Sequence, residues 1–402
     1  MSDTLLNCKK DFPIFNNQNV IYLDTASTSQ KPHSVINAMV DFYQGYNANV
    51  HRGLYPWAEK ATSEYESSRN QISDYINATS NELIFTKGTT ESINFISSSW
   101  GSYNVSKGDN IVITEMEHHS NIVPWQILAQ KTKAELRYIP ISDNGELLLD
   151  SISKIIDKNT KIVSVTHQSN VLGTINPIDQ IIKEAHSKEA LVLVDAAQSI
   201  AHQRIDVKKI DCDFLVFSGH KILGPTGIGC LYVKENLIED LEPYQTGGQM
   251  INHVEEKKST WNDIPFRFEA GTPNISGVIA LSSALDYLDK LGMDKIKSHN
   301  DLITKYCLEG LKSISDLTIY GHSNKTGPVI SFNIRGVHSY DLAQLLAQQN
   351  IYIRSGHHCA QPTMKRLNIE SSNRASLYIY NDKKDVDDFI EGINKSIQML
   401  DS

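Results

Sequence analysis

The sequence has no apolar run long enough for a membrane span, so a spanning protein is not expected. Its first residues, MSDTLLNCKKDFPIF, have neither the apolar core of a secretory signal nor the Arg-rich, acid-poor bias of a transit segment, and a cytoplasmic location is expected. Positive charge is not in excess either: 38 Lys and Arg stand against 47 Asp and Glu, a formal net charge of -9. That argues against nucleic acid as the main partner, because phosphate recognition needs a basic footprint. Cysteine is sparse and unpatterned. Cys8, Cys212, Cys230, Cys307 and Cys359 are odd in number and show no CxxC spacing, which fits free thiols in a reducing compartment rather than a disulfide framework. There is no HExxH, and neighbours such as His118 and His119 point in different directions on a helix, so no metal site is expected. Repeats and low-complexity tracts are absent.

What is present is a chain of 402 residues with 40% hydrophobic content, long enough for two domains. The stretch 191–221, LVLVDAAQSIAHQRIDVKKIDCDFLVFSGHK, organises it. Leu191-Val192-Leu193-Val194 is wholly apolar, as in a parallel strand covered on both faces, and it stops at Asp195. Residues 214–217 repeat the pattern and stop at Ser218-Gly219-His220-Lys221. Ligands of open α/β sheets sit beyond the carboxyl ends of strands, so Asp195 and Lys221 are expected in one crevice. Taken singly, such residues are more often caps or surface charges. Together they suit pyridoxal 5'-phosphate: a lysine amine holds its aldehyde covalently, and a carboxylate keeps the pyridine nitrogen protonated so that the ring accepts electrons. Ser218 and His220 flank the turn as phosphate ligands, and Gln198 lies one turn beyond Asp195, within reach of a ring substituent.

Elsewhere, strands are expected over 20–24, 82–86, 109–114, 134–139, 161–166, 229–233, 317–320, 329–334 and 374–380. Helices are expected over 35–43, 57–76, 147–156, 278–290, 294–314, 341–349 and 385–400. The glycine turn Lys87-Gly88-Thr89-Thr90-Glu91 leads a strand into a helix, and its free N–H groups and hydroxyls make an anion site of Thr89 and Thr90, although a Thr cap with Glu close behind is the commoner reading. In Arg354-Ser355-Gly356-His357-His358-Cys359-Ala360, a thiol beside two histidines and an arginine has an electropositive setting that favours thiolate. An inert buried cysteine is the usual alternative.

DAAQ followed by SGHKILGPTGIG, GTTE, the MEHHSN segment and RSGHHCA resemble the SufS-type cysteine desulfurases of the class V aminotransferases, nearly end to end. The resemblance implies a fold-type-I α/β architecture: a mainly parallel seven-stranded sheet in a large domain, 19–288, and a small α+β domain from 1–18 and 289–402 that carries the cysteine loop. It implies that Lys221 binds the cofactor, that Cys359 takes sulfur from L-cysteine as a persulfide and leaves L-alanine, and that His118 stacks on the ring. Asn170 would bond the cofactor hydroxyl and Thr272 the phosphate of a neighbouring subunit's cofactor. Ala26 would line the substrate site, His51 and Arg52 would reach the partner of a homodimer, and Arg354, with Arg374 as second candidate, would clamp the substrate carboxylate. A sulfur acceptor of the SufE or SufU kind, a role in iron-sulfur cluster assembly and activity on L-selenocysteine are implied as well. The rival readings are another enzyme of the fold, such as an aminotransferase or kynureninase with no use for Cys359, and a non-catalytic assembly scaffold.

Overall fold

The computed structural model describes residues 5–16, 18–321 and 325–401. Parts of the expected small domain, 1–4, 17, 322–324 and 402, lie outside the described residues. Seven strands form the main sheet: β1 (Leu83–Thr86), β2 (Asn110–Thr114), β3 (Glu135–Ile139), β4 (Thr160–Thr166), β5 (Leu191–Asp195), β6 (Phe214–Ser218) and β7 (Gly229–Val233). They lie in the order β1-β7-β6-β5-β4-β2-β3, and β7 alone runs antiparallel to its neighbours. The mainly parallel seven-stranded sheet expected from the sequence is therefore present. Strands β2, β6 and β7 are buried at every position, which is why they read as unbroken apolar runs rather than alternating ones. Because β2, β4, β5 and β6 run the same way, the loops that leave them gather at one edge of the sheet.

A second sheet is antiparallel, with β8 (Leu317–Tyr320), β9 (Val329–Ile334), β10 (Arg354–Gly356) and β11 (Ser372–Ser376) in the order β8-β9-β11-β10. Helices α5 (Met293–Lys312) and α6 (Ser339–Gln348) pack on α7 (Lys383–Asp401) and cover this sheet, while α1 (His33–Gly45) and α2 (Pro56–Tyr75) pack on α4 (Ile275–Leu291). The N-terminal segment docks through Phe12, which is fully buried against Tyr380 and Tyr287 at ring separations of 5.0 and 6.0 Å. The short strand Ile21–Tyr22 then pairs in parallel with Ile351–Tyr352, and Asp24 bridges to Ser376.

Two expected elements differ. The helix over 147–156 shrinks to Ile152–Ile155, because Leu147 pairs with Ile141 and the Leu148 N–H donates to the Pro140 carbonyl. A backbone already committed to a ladder cannot also make helical bonds. The strand expected over 374–380 ends at Ser376, since the Leu377 N–H turns to the Pro328 carbonyl and Tyr378 enters a turn closed by Asn381.

At the edge of the main sheet, no strand lies beyond β1 among the described residues. A buried ion pair takes the place of one. Arg69 Nη1 donates to the Leu83 carbonyl at 3.1 Å, and Glu269 Oε1 accepts the Phe85 N–H at 2.8 Å. The two side chains meet in a fork of 2.8 and 2.7 Å. This pair fixes the strand that feeds the Gly88 turn and ties it to the segment leading to Thr272. Breaking a buried pair by removing one partner strands the other charge, so Arg69→Met should lower unfolding free energy by about 3–5 kcal/mol. The check is the urea midpoint at unchanged slope; a shift worth less than about 1 kcal/mol would show that the edge is held by other means.

Candidate active site

Where β1 ends, the chain turns through Gly88 into α3 (Thr89–Ile96). Gly88 has φ +152°, a Cβ on it would meet Ser218 Oγ at 3.1 Å, and a Cβ on Gly229 would lie 2.4 Å from Gly88 Cα. Glycine at both places lets the ends of β1, β6 and β7 close on one another. Gly88 caps α3 without a side-chain oxygen, so the first turn keeps N–H groups for a ligand. The Thr89 N–H and hydroxyl both bond Ser218 Oγ, each at 2.9 Å. Thr90 and His220 join them on the wall of a cavity of about 280 Å³.

Asp195, at the end of β5, and Lys221, just past β6, line the same cavity. Burial drives them in opposite directions. It raises the Asp195 carboxyl above the usual range, opposed by the Ala197 N–H, which donates to Oδ1 at 2.9 Å, and by Lys221. It lowers the Lys221 amine to about 8, opposed by Asp195. Gln198 donates to the Ala26 carbonyl at 2.8 Å, and both residues line the cavity. His118 lies opposite, after β2. Its Nδ1 accepts the Ser120 N–H at 3.1 Å, so the neutral ring carries its hydrogen on Nε2. Burial, with Lys221 and His119 adding to it, lowers its pKa to about 3 and keeps the ring neutral.

Arg354 and Arg374 face each other in register across β10 and β11. Like charges placed so are unfavourable unless something lies between them, and here it is Asp24. Its carboxylate accepts from Arg354 Nε and Nη2 at 3.2 Å and from Arg374 Nη2 at 2.9 Å. Arg374 is 2% exposed and also bonds Ser27 Oγ and the Asn170 carbonyl, whereas its Nε has no partner. Arg354 is exposed. Asn170, past β4, donates from Nδ2 to the His358 carbonyl at 2.8 Å, so its amide holds the cysteine loop. Cys359 stands in that loop on the cavity wall and is exposed, while the other four cysteines are buried. Burial pushes the Cys8 thiol up to about 11 and the Cys307 thiol to about 12.

Comparison with known proteins agrees with this geometry. The family model for aminotransferase class-V matches residues 21–389. The chain belongs to that family. It is 47% identical over 393 residues to a probable cysteine desulfurase of Halalkalibacterium halodurans, covering 96% of this chain and 97% of that protein. It is 46% identical over 398 residues to a cysteine desulfurase of Escherichia coli, covering 98% of each. An apo cysteine desulfurase structure from Thermococcus onnurineus NA1 superposes with a TM-score of 0.95 at 40% identity, covering 99% of this chain and 100% of that one.

Pyridoxal 5'-phosphate is the cofactor of class V aminotransferases, and the residues present fit it. The uncapped start of α3 with Thr89, Thr90, Ser218 and His220 suits a phosphate, Asp195 suits a pyridine nitrogen, and Lys221 suits an aldehyde. Among the expected site residues, His51, Arg52 and Thr272 stay off this cavity. His51 bonds Glu66 at 2.7 Å and Gln249 at 3.1 Å, Arg52 is exposed, and Thr272 is exposed beside a second hollow near Gly227. The sequence reading missed Asp24, Ser27, Ser120, Thr166, Gln168 and His358. Asp24 carried a usable signal, standing as an acid at the end of the strand expected over 20–24. Gln168, whose amide finds no partner, carried none.

Only a neutral amine attacks an aldehyde, and at a pKa of about 8 the neutral fraction of Lys221 is roughly one-tenth at pH 7 and nine-tenths at pH 9. Capture of added pyridoxal 5'-phosphate by the apoprotein should therefore accelerate roughly tenfold over that interval. Lys221→Ala should leave no cofactor fixed by borohydride. A midpoint near the ordinary 10.5 would show that burial does not govern the amine.

Proposed function

We propose that the chain is a cysteine desulfurase that converts L-cysteine to L-alanine and takes the sulfur onto Cys359. The observation that carries this reading is the lining of one cavity by Lys221, Asp195 and the exposed cysteine. Transamination or kynurenine cleavage has no use for that thiol. Two names among the relatives, both cysteine desulfurases at 46 and 47% identity, support it.

Pyridoxal 5'-phosphate, when bound, supplies an electron sink for the substrate's Cα bonds. Lys221, held partly neutral by burial, takes and returns a proton at Cα. Asp195 would hold the cofactor's pyridine nitrogen, and His118, kept neutral by burial, would line the cofactor's side of the cavity. Arg374 binds the substrate carboxylate. Its claim exceeds that of Arg354 because it is buried and its Nε lacks a partner, whereas Arg354 reaches solvent. The Cys359 thiolate attacks the substrate sulfur, an S–S bond forms as the C–S bond breaks, and the carbon keeps the electron pair and takes a proton to give alanine. The persulfide leaves on Cys359, whose exposure suits transfer to an acceptor of the SufE or SufU kind for iron-sulfur cluster assembly. L-selenocysteine is a second substrate of the same cavity. Residues 19–288 form the cofactor domain in this reading, with 1–18 and 289–402 presenting the cysteine loop.

Cys359→Ser is the deciding test. The variant should bind cofactor and respond spectrally to L-cysteine, yet form no persulfide and lose alanine production by at least about 100-fold. Full alanine production without Cys359 would replace this reading with another lyase or a transaminase.

A homodimer belongs to the same proposal. Arg52 and Thr272 are exposed away from their own cavity, and Leu54 at 94% exposure, Tyr55 and Trp57 stand uncovered beside Arg52. Apolar surface of this kind marks a partner's footprint. Mixing Lys221→Ala chains with Arg52→Ala chains should restore activity in hybrid dimers, whereas a mass of one chain by light scattering would rule the dimer out.

A further inference from the structure

We propose that His119 is the positioning residue that sets the Cys359 thiol against the reacting atoms, a role that rests on the desulfurase reading. His119 does not line the cavity, whereas its neighbour His118 does. It turns instead to the cysteine loop and grips it at the thiol residue's own carbonyl and again two residues further on. The His119 N–H donates to the Cys359 carbonyl at 2.7 Å, and His119 Nε2 accepts the Gln361 N–H at 3.2 Å.

The loop needs such a grip. His358 and Cys359 are consecutive non-glycine residues with φ of +51° and +55°, a left-handed backbone that side chains disfavour and that persists only where surrounding bonds impose it. The loop's other bonds are the one within itself, where His357 Nδ1 accepts the Cys359 N–H at 3.1 Å, and those to the residue before the thiol, whose carbonyl takes the Asn170 amide and whose ring Nε2 bonds Ser372 at 3.0 and 3.1 Å. The two from His119 hold the carbonyl of Cys359 itself and the N–H of Gln361, and they come from the turn that carries His118. One dipeptide thus faces the cofactor side with its first ring and holds the nucleophile with its second residue, so the thiol is placed relative to the cavity through a single peptide unit.

The ring grips only while Nε2 has a free lone pair. The titratable groups around it are His118 and His357, with ring centroids 6.2 and 5.7 Å away, and Cys359 through the backbone. Burial, followed by His357, lowers the His119 pKa below 6.5, so the grip stands through neutral pH and is lost on the acid side, where a protonated Nε2 would face the Gln361 donor.

The experiment uses the cofactor-loaded full chain as wild type, His119→Leu, which has no acceptor, and His119→Gln, whose Oε1 offers one at similar reach. In His119→Leu, kcat on L-cysteine should fall about 100-fold, the scale of an ångström-level misplacement, while KM and the visible spectrum hold. The Gln361 amide should exchange with deuterium about tenfold faster. His119→Gln should recover most of kcat and slow that exchange again, and it should lose the part of the acid limb that His119 titration contributes. The proposal is overturned if His119→Leu keeps its kcat, if Gln rescues nothing, or if KM and spectrum fall together with kcat. Absence of persulfide on wild-type Cys359 would sink the desulfurase reading instead, and the exchange of Gln361 would still judge the grip on its own.

Discussion

Two arginines set opposite each other on adjacent strands would push β10 and β11 apart, and the carboxylate of Asp24 between them turns that repulsion into attachment. The rest of the site depends on this arrangement. Asp24 belongs to neither strand: it follows Ile21–Tyr22, which pairs with Ile351–Tyr352, and precedes Ala26, whose N–H donates to Ser376 Oγ and whose carbonyl takes the Gln198 amide. A short segment near the start of the chain is thereby laced to the second sheet on one side and to the end of β5 on the other. Two positive charges against one negative leave the wall of the cavity a net cation, which is what an anionic substrate group needs. A desolvated guanidinium does this better than one open to water, and that is the physical distinction between buried Arg374 and exposed Arg354.

The floor of the cavity follows another rule. Strands covered on both faces carry their terminal polar residue into a dry place, so the residue that ends the strand inherits a desolvation cost. For Asp195 and Lys221 the cost displaces both groups toward neutrality, and each opposes the displacement of the other. A buried acid and a buried amine held on one cavity without a direct bond are costly as pure structure. They make sense as two ends of a receptor for a group that is cationic at one end and electrophilic at the other.

Much of this was legible because parallel strands write themselves as short apolar runs with an abrupt polar stop, and the stops are the site. Asp195, Lys221 and the Gly88 turn were found that way. Asp24 stands at a similar stop, yet nothing local marks its role, because its partners are two arginines more than three hundred residues away. Segment 147–156 has helical spacing, yet its first residues serve a ladder with Ile141 and Pro140 that no local pattern announces. The expectation for His51, Arg52 and Thr272 rests on family resemblance alone, since within one chain none reaches the cavity. Arg69 and Glu269, which stand in for an eighth strand, lie two hundred residues apart and left no trace in either segment.

The thiols show how selectivity arises without a dedicated device. Cys8, Cys212, Cys230 and Cys307 are placed by packing, and burial raises each of their pKa values. A thiol held protonated and out of reach neither attacks nor accepts sulfur. Cys359 is placed by backbone bonds instead, in a left-handed turn that lifts it off the protein surface without a hydrophobic seat. Its exposure and its precision go together: the buried neighbours His358 and Ala360 anchor the loop on either side, and hydrogen bonds from His119 and Asn170 tie it to the cavity wall. Cys359 and the cavity are therefore mechanically one object, although one side chain comes from the second sheet's loops and the others from the carboxyl ends of the first.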